Sequence, residues 1–107
     1  MMRLTPVEIE YIGKAIATID LERRGFAWKQ NRWITGSTDI EATKGAEGRL
    51  VQIRTAVHPQ EPPGLSQEET QRIKSRSSQI GYEPWLAQIT LKVSDIAAKT
   101  IIWTNVE

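Results

Sequence analysis

The chain has 107 residues, 39% hydrophobic and 25% charged, with a net charge of +1 and no cysteine. Such a composition describes one ordinary globular domain, taken as residues 1–107, able to bury roughly two-thirds of the surface its unfolded form exposes. It excludes a disulfide framework, a thiolate metal centre and the broad basic surface of a general DNA-coating protein, so any nucleic-acid binding must come from a local patch.

The first helix is the clearest element. Thr5 is a good N-cap, Pro6 suits the first helical position, and Glu8 completes a capping-box spacing. Ile9, Ile12, Ile16 and Ile19 recur at helical spacing and predict one buried stripe. Glu10 and Lys14 lie on another face as a favourable i,i+4 pair. Gly25, after Arg23-Arg24, reads as the stop.

Phe26 to Ile34 reads as a first strand, Thr35-Gly36 as a turn, and Ser37 to Thr43 as a second strand. Lys44 to Gly48 reads as a hairpin loop. Arg49 to Val57 is a third strand, with Val51, Ile53 and Thr55 on one face and Leu50, Gln52 and Arg54 on the other. Three prolines make His58 to Gly64 a loop. Ser66 caps a second helix, with Glu69 as its partner, that runs to about Gln79 and stops at Gly81. Pro84 to Val93 and Lys99 to Val106 read as two last strands. The order αβββαββ predicts an α/β domain, a mixed sheet flanked by helices.

Asp39 on the second strand and the i,i+2 pair Gln52 and Arg54 on the third could face one way. Metal-assisted phosphodiester cleavage needs such an arrangement: carboxylates converging on a divalent ion and a cation near the phosphate. On the residues alone, Gln52 and Arg54 equally suit the polar face of a half-exposed strand, and Asp39 suits a turn or edge.

The segment Gly36-Ser37-Thr38-Asp39-Ile40-Glu41-Ala42, a short loop, then Leu50-Val51-Gln52-Ile53-Arg54 resembles the central motif of the PD-(D/E)XK nucleases. It is most similar to the Holliday-junction-resolvase-like branch, to which Gly25-Phe26 and Asn31-Arg32 also correspond. The resemblance covers roughly residues 5 to 90. It implies a restriction-endonuclease-like fold of about five strands and two helices, DNA as partner, Mg if the site is active, and a homodimer.

The departures are informative. The family places Glu or Asp where Gln52 stands and Lys where Arg54 stands. Gln loses the charge, and Arg holds a phosphate without deprotonating. The helical Glu of the family falls at Lys14, with Glu10 one turn earlier. Glu41, two residues after Asp39, shares its face, so Asp39, Glu41 and Glu10 form the candidate metal set. Candidate phosphate-binding residues are Arg54, Arg72, Arg76, Arg32 and Lys29. Arg72 and Arg76 share a helix face, and Lys74 points away. Arg23 and Arg24 are further basic candidates, while His58 reads as a surface loop residue. Trp28, Trp33, Trp85 and Trp103 suit either base stacking or the core.

Three functions stay open on the sequence. One is a nuclease-fold domain with a degenerate site that binds nucleic acid or a protein partner. Another is an active divalent-metal-dependent endonuclease with a displaced carboxylate. The third is a structural or accessory subunit. The N-terminal residues lack the apolar stretch of a secretory signal, and no run is long enough to span a membrane, so a cytoplasmic location is expected.

Overall fold

A computed structural model of the chain describes residues 3–30, 40–92 and 99–107. The elements are α1 (Pro6–Arg23), β1 (Ala27–Gln30), β2 (Ile40–Lys44), β3 (Glu47–Val57), α2 (Gln67–Ile80), β4 (Glu83–Leu91) and β5 (Thr100–Asn105). They form one five-stranded sheet in the order β1-β2-β3-β4-β5. All neighbours are antiparallel except β3 and β4, which run parallel. A parallel pair needs a crossover connection, and α2 supplies it. This is the predicted order and the predicted mixed sheet. The hairpin between β2 and β3 is tighter than the sequence suggested, because Lys44 already pairs with Glu47 and only Gly45 and Ala46 remain in the turn.

Both helices begin with complete capping boxes. Thr5 Oγ1 accepts from Glu8 N while Glu8 Oε1 accepts from Thr5 N, and Ser66 and Glu69 repeat the arrangement. Both ends close on a left-handed glycine. After α1, Gly25 N donates to Glu22 O and Phe26 N to Leu21 O, the double closure that seals the last carbonyls and turns Phe26 into the core beside Leu21. After α2, Tyr82 N donates to Ser77 O in the same way.

The two helices cover opposite faces of the sheet. α1 lies over Val51, Ile53, Ala87, Ile89 and Leu91, and this side carries the main core. A Cβ built on Gly13 would stand 1.8 Å from Thr55 Oγ1, so the helix approaches β3 at backbone distance. The buried positions of α1 are accordingly Gly13, Ala17, Thr18 and Leu21. Ile9, Ile12 and Ile16 flank that line and pack against the core, but Ile19 is 48% exposed. The expected isoleucine stripe is therefore rotated. Small residues set the contact line because they allow the closest approach, and the isoleucines fill its side. Lys14 turns toward the sheet, donating to Gln30 Oε1 over the Trp28 ring, rather than pairing with Glu10.

Three of the four tryptophans belong to this α1 side. Trp28, Trp85 and Trp103 pack against the core, with Trp28 Nε1 donating to Glu22 Oε1 and Trp103 Nε1 to Asp20 Oδ2, each at 2.8 Å. Their packing on the core accounts for these three rings. Trp33 lies outside the described residues.

Candidate functional site

Residues directly opposite each other in a sheet share a face. Lys29 faces Glu41, and Glu41 faces Leu50. Leu50 alternates with Gln52 and Arg54 along β3, and Gln52 and Arg54 lie beside Leu86 and Gln88 of β4. All of these residues point away from α1, toward the side that α2 covers. The sheet therefore brings Glu41, Gln52, Arg54 and Lys29 to one surface. Trp28 and Lys29, adjacent in sequence, fall on opposite faces. No aromatic-basic surface runs along β1 between them.

α2 shields the β3–β4 half of this surface through the buried side chains of Ile73 and Ser77. Tyr82, just past its end, lies flat on Gly48, where an added Cβ would come within 2.4 Å of the ring. The β1–β2 half remains an open groove of about 330 Å³, lined by Ala27, Trp28, Lys29, Glu41, Thr43 and Tyr82.

At the margin between the two halves, Arg54 Nη2 donates to Glu69 Oε2 in an ion pair from strand to helix. The guanidinium is about one-fifth exposed and the carboxylate about one-third. The other oxygen of Glu69 accepts the Ser66 backbone N–H. That hydrogen bond, followed by the charges of Arg54 and Arg72, holds the Glu69 carboxyl below its usual range despite partial desolvation. Sequence reasoning saw Glu69 only as a capping residue. The signal that could have revealed its second partner is its place on the helix edge that faces the third strand.

A depressed carboxyl contributes stability when ionised, that is, above its unfolded-state value near 4.5. The contribution disappears as pH falls through the lower folded value. Unfolding measured across the acid range should therefore show Glu69→Gln less stable than the natural chain above pH 4.5, with the two converging below it. A gap that persists undiminished at the acid end would contradict the charge-based account.

The remaining predicted residues divide by face. Arg72 is exposed on α2, and Arg76 is half-buried on the same edge as Glu69. Lys74 is exposed elsewhere on that helix. Arg23 and Arg24 end α1, on the other side of the sheet, and Arg24 is paired with Asp20. Glu10 is exposed on α1, so the structure separates it from Glu41 by the thickness of the sheet. His58 is exposed in its loop. Asp39, Asn31, Arg32 and Gly36 lie outside the described residues.

Among the described residues, Glu41 is the one carboxylate that β1, β2 and β3 give to this face. No three His, Asp or Glu side chains converge among them. Among the described residues, one strand carboxylate, one amide and a guanidinium held by Glu69 face this side, and Asp39, which the resemblance makes a metal ligand, lies outside them. Among the described residues, no helix is long and apolar enough to cross a membrane.

No family model matches the chain, and no curated protein is similar to it in sequence. Among solved structures it is similar to Hjc of Archaeoglobus fulgidus, a Holliday junction resolvase from an archaeal hyperthermophile. The TM-score is 0.65 at 16% identity, over 91% of this chain and 72% of that chain. At that identity the likeness establishes the fold: a resolvase-like, restriction-endonuclease-like α/β domain.

Proposed function

We propose that this resolvase-like domain binds nucleic acid through the face carrying Gln52 and Arg54 and has lost metal-dependent cleavage there. The observation that carries the reading is the Arg54–Glu69 pair, Arg54 being the residue that the resemblance aligns with the family's lysine. A guanidinium in that place holds a phosphate but does not exchange protons. Gln52 beside it offers a neutral oxygen where a charged ligand is needed. The fold likeness to a Holliday junction resolvase makes DNA, branched DNA first, the substrate class to test.

The open β1–β2 groove beside α2 gives a strand room to lie. Lys29 on its floor and Arg72 and Arg76 on the α2 edge supply phosphate contacts, which position a backbone without reading its sequence. With a net charge of only +1, such binding would rest on this local set of basic groups rather than on the overall charge.

The test is incubation with branched, single-stranded and duplex DNA in magnesium or manganese. The expected result is binding that weakens with salt and DNA recovered intact. Cleavage that disappears in Asp39→Ala would overturn this reading in favour of a working endonuclease with Asp39 and Glu41 as its carboxylates. Absence of binding even at low salt would leave an accessory role unconnected with nucleic acid.

A further inference from the structure

The geometry points to Glu69 as an internal competitor for the phosphate that Arg54 would bind, so that this α2 carboxylate sets both the affinity and the salt response of the site. The inference rests on the nucleic-acid reading above and specifies how the site is regulated.

Glu69 does two separable jobs. One oxygen closes the capping box through Ser66 N at 2.9 Å, and the other takes Arg54 Nη2. A carboxylate and a phosphate make the same paired contact to a guanidinium. A phosphate arriving at Arg54 must therefore displace Glu69 or share the guanidinium with it. The pair is only partly buried, so the exchange needs no unfolding.

This arrangement has a consequence that a merely structural ion pair lacks. Binding to DNA depends on salt because bound phosphates release their counterions. A cation already neutralised by Glu69 hands its phosphate no net charge. Removing the charge of Glu69 restores the full charge of Arg54. One further phosphate is then neutralised on binding, and the salt slope steepens.

The experiment compares the natural chain with Glu69→Gln on a labelled four-way DNA junction over a range of salt. Gln still accepts the Ser66 N–H, since either Glu or Gln serves the capping box. The substitution therefore isolates the charge. The expected result is binding tighter by about fivefold at low salt, with the log–log slope steeper by about 0.9. Both changes should vanish in the Arg54→Ala background. Glu69→Ala, which also loses the cap, should bind like Glu69→Gln while melting at a lower temperature. Unchanged affinity and slope in Glu69→Gln, with junction binding intact, would overturn the competitor role and leave the binding reading standing. A gain that survives in Arg54→Ala would also overturn it, since Glu69 would then act by general repulsion. Absence of binding in every variant would overturn both.

Discussion

Replacing Gly13 with alanine is expected to destabilise the protein by about 2 kcal/mol, against the usual gain of about 1 kcal/mol for that change in a helix. The reason is the approach of α1 to β3. The new Cβ would stand 1.8 Å from Thr55 Oγ1, and at 2.8 and 2.9 Å from Thr55 Cβ and Cγ2. No side-chain rotation removes all three contacts, because Cβ is fixed to the strand. The helix must lift, and lifting it loosens Ala17 and Leu21, both fully buried. Thr55→Ala removes two of the three offending atoms, so the double variant should recover about half of the loss, a coupling of about 1 kcal/mol. Urea unfolding of the two single variants and the double reads this directly. An increase in stability for Gly13→Ala alone would contradict the packing described here.

The second large effect concerns binding. The double substitution Arg72→Ala, Arg76→Ala should weaken DNA binding by about tenfold at low salt and reduce the log–log salt slope by about two. Both residues lie on the edge of α2 that Glu69 occupies, while Ile73 and Ser77 on the neighbouring face anchor the helix. The change removes charge without touching that anchor. Lys74→Ala is the control. It removes a charge from the same helix, but on a side turned from the groove, and should leave the slope nearly unaltered. Equal effects of Lys74 and the arginine pair would mean that binding follows net charge and not this face.

The sequence was a good guide wherever one local signal decided the outcome. The capping boxes at Thr5 and Ser66, the terminating glycines at 25 and 81, and the alternation of β3 all appear as read. It misjudged features that depend on partners distant in the chain. Ile19 fits a helical stripe by spacing, yet the line of closest approach is set by Gly13 against Thr55, which no local pattern announces. Lys14 suggested a pair with Glu10, but the sheet offered Gln30 and the Trp28 ring.

The site shows the same division. The register of β2 and β3 puts Glu41, Gln52 and Arg54 on one face, while Asp39, on which the sequence grouping was built, lies outside the described residues. Glu10 was joined to them through the family resemblance, one turn before Lys14, and it lies on α1, which covers the opposite face. The partner of Arg54 was missed because Glu69 already had an evident local use at the head of α2. A residue with one visible role conceals a second. Here the second role is the strand-to-helix ion pair with Arg54.

The central claim is that nucleic acid meets the face shared by Gln52, Arg54 and α2. The most direct measurement is backbone amide chemical-shift mapping of the labelled protein titrated with a short DNA junction arm. The account predicts that the perturbed amides cluster at Lys29, Glu41, Gln52, Arg54, Glu69, Arg72 and Arg76, with the exposed outer side of α1 around Val7 and Tyr11 unmoved. Shifts concentrated on α1, or none under conditions of low salt, would contradict it.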